Sequence, residues 1–334
     1  MLFADFASLR RMPARVCAMA AVGSMALAFA PGGAAAQELP QGEVRLVAAF
    51  PAGSGSDVVV RWFAEKLKPV MNRTVIVENK PGAGGNIATE YVSRAKPDGS
   101  TIYLHTGSSM SANMHVFKKP PVDVAKAMQV VGTINRQAFM LVVHPDKPWK
   151  NVAELTAHLK AKGDKASYAV SATSGVVMCA LYKQMADLKA VEVNFRMAQD
   201  SLNDLASGSI DYGCHDPQFA SAQVAQNRLR VLGIASAQRL ESNAGFPTMK
   251  EQGVDMDLNG WFAAFVPSTT PRPMVDQLNK WLNQILVTDE AKKFLAQFAS
   301  DVMMSTPDEG QARLIRDINA WGDYVRIAKI EPQG

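Results

Sequence analysis

Residues 44–57 read VRLVAAFPAGSGSD, an apolar run that breaks at a proline and opens through small residues onto a helical pattern. VRLVAAF has the length and composition of a strand. Val59, Phe63 and Leu67 then recur four apart, which predicts a helix with one buried face. Ser56 or Asp57 can cap that helix. The plan repeats at once, with strand TVIVEN over 74–79 and a second glycine turn, KPGAGGN, over 80–86. A helix N-terminus leaves about four N–H groups unpaired and carries a partial positive charge, so a carboxylate or phosphate sits well on such a turn. Ordinary strand-to-helix turns share this composition, so turn chemistry alone leaves a ligand site and a bare connection equally open.

Working outward, strand and helix alternate over Glu43 to Phe50, Asp57 to Lys68, Thr74 to Glu78, Gly85 to Lys96 and Thr101 to His105. Such alternation predicts an α/β fold with a parallel, doubly wound sheet, whose ligands lie outside the carboxyl ends of the strands. Three loops meet that rule: Pro51 to Ser56, Asn79 to Gly85, and Thr106 to Ser111. The apolar run Phe139 to Val143 leads into a second alternating region. There Asn151 can cap a helix, Ser167 to Val170 reads as a strand, and Ser171 to Gly175 is a further small-residue turn opening a helix. That turn is a second candidate anion cradle. Strand Val191 to Phe195, helix Ser201 to Ala206, strand Ile210 to His215 and helix Pro217 to Gln226 follow, and Arg230 to Ala235 reads as the return crossing. The remainder is mostly helical. Thr306-Pro307-Asp308-Glu309 combines an N-cap, a proline in the first turn and a capping-box glutamate, ahead of a helix that buries Leu314, Ile318, Trp321 and Val325.

At 334 residues and 48% apolar content the chain has ample core for one large or two medium domains. The formal charge is +4. Residues 1–36 hold Arg10, Arg11 and Arg15 against Asp5, so without them the balance is nearer zero still, which argues against nucleic acid or an acidic membrane as the main partner. The same 36 residues read as a secretory signal: an arginine-bearing start, the apolar run Val16 to Ala30, and Ala34-Ala35-Ala36 before an expected cut. Met12-Pro13-Ala14 after Arg10-Arg11 fits twin-arginine export poorly. Export permits a disulfide between Cys179 and Cys214, but both sit among apolar residues, and burial as free thiols is the expectation.

Enzyme readings find little support. The two glycine turns lack the third glycine of a dinucleotide fingerprint and the lysine of a P-loop. No Gly-x-Ser-x-Gly elbow occurs, and the nearest approach, Gly107-Ser108-Ser109-Met110-Ser111, ends in serine. The five histidines are dispersed without metal-ligand spacing, so no metal or cofactor is expected. Loop hydroxyls and amides without a nucleophile-base pair suit binding better than turnover.

FPAGSGSD (50–57), VIVENKPGAGGN (75–86), KPDGSTIYL (96–104), DLASGSIDY (204–212), RLRVLGIASAQR (228–239), FPTMKEQG (246–253) and GWFAAFVPSTTPRPMVDQLN (260–279) run in order through the chain. With these segments it resembles the periplasmic solute-binding receptors of the Bug family, which serve tripartite tricarboxylate transporters. The resemblance implies a type II periplasmic binding protein fold: lobe I over 38–138 and 237–334, lobe II over 139–236, and one small organic acid closed into the cleft between them. It implies a monomeric receptor that hands its carboxylate to membrane permease subunits and binds no nucleic acid. Carried over by position, the ligand contacts are Phe50, Pro51, Ala52, Gly53, Ser54 and Asp57; Thr106, Gly107 and Ser108; Ser171, Thr173, Ser174 and Gly175; and Asp216. Asp57 fits a helix cap better than a ligand contact, and Asp216 suits an amine or hydroxyl of the ligand. Where many members read PYKG, this chain reads Asn194-Phe195-Arg196-Met197. That departure reshapes the second-lobe wall, with Phe195 stacking on the ligand or Arg196 pairing with a second carboxylate, against the alternative that Arg196 points to solvent.

Overall fold

The computed structural model describes residues 41–334, and the secretory-signal reading of the first 36 residues lies outside them. In chain order the first half contains Val44–Ala48 (β1), Gly55–Met71 (α1), Val75–Asn79 (β2), Asn86–Ser93 (α2), Thr101–Thr106 (β3), Gly107–Val116 (α3), Val124–Ala127 (α4) and Met128–Ala138 (β4). Met140–Val143 (β5), Val152–Lys162 (α5), Ser167–Val170 (β6), Thr173–Met185 (α6), Val191–Asn194 (β7), Leu202–Ser207 (α7), Tyr212–His215 (β8), Pro217–Ala225 (α8) and Arg230–Ile234 (β9) follow. The chain ends with Asn259–Pro267 (β10), Arg272–Leu286 (α9), Asp289–Ala296 (α10), Ser300–Val302 (β11) and Pro307–Ile327 (α11).

These strands make a six-stranded sheet in the order β11-β4-β10-β3-β1-β2 and a five-stranded sheet in the order β7-β6-β8-β5-β9. The fold is α/β with helices on the sheet faces, but neither sheet is purely parallel. β1 pairs in parallel with β2 and β3, whereas β10 runs antiparallel to both β3 and β4. The reason lies in the crossings. β4 leaves the first sheet at Ala138 and β5 opens the second at Met140, while the return from β9 re-enters the first sheet as β10, so the returning strand runs opposite to the strand that left.

The register shows which ends meet. The first residues of β10 oppose the last of β3 and β4, with Phe262 beside Thr106 and Asn135, so β1, β3 and β4 all point their carboxyl ends toward the second sheet. In that sheet Met140, just past the crossing, pairs with His215 at the end of β8, and β6 runs parallel to β8. The carboxyl ends of the parallel strands of both sheets therefore face each other.

Local sequence explains the elements. Val44, Leu46, Val47 and Ala48 are buried, as expected of an internal strand flanked on both faces. Thr306 and Glu309 form the capping box that the sequence predicts for α11. This helix buries Leu314 in a core shared with β4 and β10, and Trp321 and Val325 in a core shared with β5 and α6. It thus packs on both halves. Burying Trp321 contributes about 3 kcal/mol, and truncating it to alanine costs about 3–5 kcal/mol.

Cys179 and Cys214 are joined in a disulfide, which corrects the expectation of free thiols. Packing α6 on β8 brings their Cα atoms to 5.7 Å, within the span a disulfide bridges. The α1 cap is also corrected: Ser54, not Ser56 or Asp57, accepts the first-turn amide, that of Asp57. Thr106 to Ser111 is not a loop, because the helix α3 begins at Gly107 directly after β3.

Candidate functional site

α1, α3, α6 and α8 each begin where β1, β3, β6 and β8 end. Their N-termini consequently lie at the junction of the halves, α1 packing on α8 and α3 on α6. Approach is close at glycines. A Cβ on Gly55 would lie 2.9 Å from the Gln218 carbonyl oxygen, and one on Gly84 would lie 2.5 Å from Thr173 Oγ1. Hydrogen bonds cross here: Gln218 Nε2 donates to Gln137 Oε1, and Thr173 Oγ1 donates to Asn113 Oδ1 at 2.9 Å, while Asn113 Nδ2 donates to the Gly84 carbonyl at 3.0 Å and to Asn86 Oδ1 at 2.9 Å.

The first turn is held by its own side chains. Asp57 is buried, and its carboxylate accepts from Gly53 N–H at 2.8 Å, Arg61 Nε at 2.8 Å and Asn79 Nδ2 at 2.7 Å. Burial alone would raise this carboxyl, but the bonds from Arg61, Asn79 and Gly53 outweigh it and hold the group below the usual carboxylate range. Ser54 N–H donates to the Pro51 carbonyl at 3.2 Å. The amides of Gly53 and Ser54, carried over by resemblance as ligand contacts, are therefore both engaged, the first by Asp57 folding back over the turn and the second by the Pro51 carbonyl. The amides of Gly55 and Ser56 remain without a partner among the described residues. Pro51, Ala52 and Gly53 line the outer side of the turn, the last two exposed, and the Phe50 ring turns inward against Phe262 at 5.8 Å and His105 at 5.1 Å.

The turn before α6 differs. Ala172 occupies the N-cap of α6 and has no side chain to cap with, so the amides of Thr173, Ser174 and Gly175 have no partner among the described residues. Ser171 is half-buried and Ser174 buried. Gly175 sits so close to β8 that a Cβ there would lie 2.5 Å from the Cys214 carbonyl oxygen. Asp216 caps α8 through Phe219 N–H at 3.0 Å, and burial raises its carboxyl despite that bond. Thr106 and Ser108 are buried with unpartnered hydroxyls, and Gly107 admits the Trp261 ring. Phe195 is half-buried against the core that contains Phe219, whereas Arg196 is exposed and makes no ion pair or hydrogen bond among the described residues.

Sequence reasoning missed several residues here. Asn135 and Gln137 of β4 and Gln218 of α8 are fully buried, and each keeps a side-chain atom without a partner. His105 and His215 are buried with both ring nitrogens unpartnered, and burial lowers them to about 3 and about 4, so both are neutral at physiological pH. The available signal was polar residues at the carboxyl ends of otherwise apolar strands. Two surface hollows, of about 470 and 570 Å³, lie elsewhere. One is lined by Tyr168, Lys183, Glu192 and Lys329. The other lies at the amino ends of β1 and β3, the end that open α/β sheets do not use for ligands. Among the described residues no group of three His, Cys, Asp or Glu side chains is placed to hold a metal.

An unpaired row of amides on α6, two free amides on α1 and buried uncharged donors from the crossing strand suit one anionic group and a polar remainder. Comparison with known proteins agrees with this chemistry. Residues 59–329 match the family model described as tripartite tricarboxylate transporter family receptor. The chain is 23% identical to protein BugT of Bordetella pertussis over 295 residues, 87% of this chain and 90% of BugT. It resembles the structure of periplasmic binding protein BugD with a TM-score of 0.80 and 26% identity, covering 88% of this chain and 100% of BugD. It also resembles R. palustris Rpa4515, solved with adipate, with a TM-score of 0.82 and 26% identity over 88% of this chain and 99% of that one. With 59–329 matched to that family model, the chain belongs to the receptor family of the tripartite tricarboxylate transporters.

Proposed function

We propose that this protein is an exported periplasmic receptor that captures one small organic acid, a di- or tricarboxylate or an aromatic carboxylate, between two lobes and delivers it to membrane permease subunits. Lobe I comprises residues 38–138 and 237–334, and lobe II residues 139–236. The observation that carries this reading is the facing pair of helix N-termini: unpartnered amides of Thr173, Ser174 and Gly175 on one half, and of Gly55 and Ser56 on the other. A carboxylate touching both sets stabilises only the closed arrangement, because the open one satisfies a single set. Phe50, Thr106, Gly107 and Ser108 complete the first wall, and Ser171, Phe195 and Asp216 the second. Adipate in the relative Rpa4515 fits the same ligand class.

In this reading the protein acts as a monomer and as a binder, which the match to the transporter receptor family supports. A thermal-shift screen of the mature chain against dicarboxylates, tricarboxylates and aromatic acids tests the reading. A ligand at 100 times its Kd adds about 2.7 kcal/mol of native-state stability. A panel in which no acid shifts the transition removes the reading, and product formation abolished by Asp216→Asn would replace it with catalysis.

A further inference from the structure

Gln137 and Gln218 meet across the junction, Asn135 lies two residues before Gln137 on the same strand β4, and all three are 0% exposed. Asn135 Oδ1 accepts from Phe262 N–H at 3.0 Å. A backbone amide can only donate, so the Asn135 amide orientation is fixed and its unpartnered Nδ2 is a donor. Gln218 Nε2 donates to Gln137 Oε1, which leaves Gln137 Nε2 and Gln218 Oε1 without partners. Turning both amides over exchanges which residue offers which atom, yet one nitrogen and one oxygen always remain. The count of free groups is therefore independent of how the amides were oriented.

The surroundings leave this cluster without a charged hydrogen-bond partner among the described residues. A Cβ on Gly260 would lie 2.9 Å from Gln137 Cγ and 2.8 Å from the Phe139 ring, so glycine leaves room for the glutamine. Gln218 abuts Gly55, whose amide is one of the free donors of α1. The neighbouring cations are committed elsewhere: Arg61 to Asp57 and Asn79, and the exposed Arg136 to Asp301 at 3.2 Å. No Lys or Arg hydrogen-bonds any of the three carboxamides among the described residues.

We propose that these three side chains form a specificity subsite for an uncharged terminus that both donates and accepts hydrogen bonds. The inference rests on the receptor reading for one small organic acid and replaces its di- and tricarboxylates with a monoanion: an acid with its carboxylate on the helix N-termini and a carboxamide or hydroxyl group at the far end. A second free carboxylate accepts from Asn135 and Gln137 but has no proton for the remaining amide oxygen, and no Lys or Arg hydrogen-bonds the three carboxamides to offset a charge buried there. A primary amide satisfies donor and acceptor together. Sites built this way reject analogues that leave a buried polar atom unpaired.

Isothermal titration of the mature protein at pH 7.5 with adipate, its monoamide and hexanoate, and with the matching succinate and glutarate series, tests this. In the series of best-fitting length the monoamide should bind at least about tenfold tighter than the diacid. The double substitution Gln137→Leu and Gln218→Leu should bring that ratio to within about twofold. A diacid equal to or tighter than its monoamide, or a ratio untouched by the double substitution, overturns the subsite alone. The wild-type comparison decides even where the double variant fails to fold. Failure of every acid of every length to bind removes the receptor reading and the subsite with it.

Discussion

The N-termini of α1 and α6 occupy equivalent places, each after a parallel strand and each at the junction, yet they are secured by opposite means. At α1, Ser54 caps, Asp57 folds back on Gly53, and Arg61 and Asn79 hold Asp57, so the turn is finished within its own half. At α6 no side chain caps the helix. Its position is set by the Cys179–Cys214 bond beneath it and by the Thr173–Asn113 bond across the junction. The first turn has its Gly53, Ser54 and Asp57 groups engaged and leaves only the Gly55 and Ser56 amides free, whereas the second leaves all three of its first-turn amides free. A receptor that closes on its cargo gains from this division, because only unsatisfied donors add differential affinity for the closed state.

Breaking the covalent support separates the two turns most sharply. Replacing both cysteines by alanine releases a crosslink between residues 35 apart and should cost about 3–4 kcal/mol of stability, read as a lower denaturant midpoint with ligand affinity weakened as well. An unchanged midpoint would show that packing alone seats α6.

The next effect tests the other turn. Asp57→Ala leaves Gly53 N–H, Asn79 and Arg61 without their acceptor and should cost about 2 kcal/mol at neutral pH. Because the folded carboxyl is held below its unfolded value, its contribution is present above the ordinary carboxylate range and is lost as pH falls through the folded value. Urea midpoints measured from neutral pH into acid should therefore fall more steeply in the wild type than in Asp57→Asn. Parallel curves would mean that the web around Asp57 stores little energy.

Smaller effects sharpen the contrast. Thr173→Val removes the bond across the junction and should cost about 1 kcal/mol of closed-state stability, which appears as roughly fivefold weaker carboxylate binding with little change in the unliganded melting temperature. Arg196→Ala should shift stability by no more than about 0.5 kcal/mol, since the side chain is exposed and unpaired. A loss of dicarboxylate affinity in that variant would place Arg196 on the ligand when the lobes close.

Much of this was legible in the residues. Small-residue turns after apolar runs marked the helix starts of α1 and α6, and Thr306 with Glu309 marked that of α11. The destination of Asp57 was not legible, because its second partner, Asn79, arrives from the end of β2, and only the pairing of β1 with β2 brings it there. The pair Gln137 and Gln218 lies 81 residues apart, on a crossing strand and a helix of the other half, and nothing local announces that their amides meet.

The sequence by itself determined the alternation of strands and helices, the family and the turns that could take an anion, since these follow from periodicity and the conformational preferences of small residues. Tertiary structure alone decided which donors stayed free, that the two cysteines bond, and that uncharged amides gather at the junction. Hydrogen-bond satisfaction is a property of neighbours in space, and those neighbours are chosen by how the two sheets cross and pack.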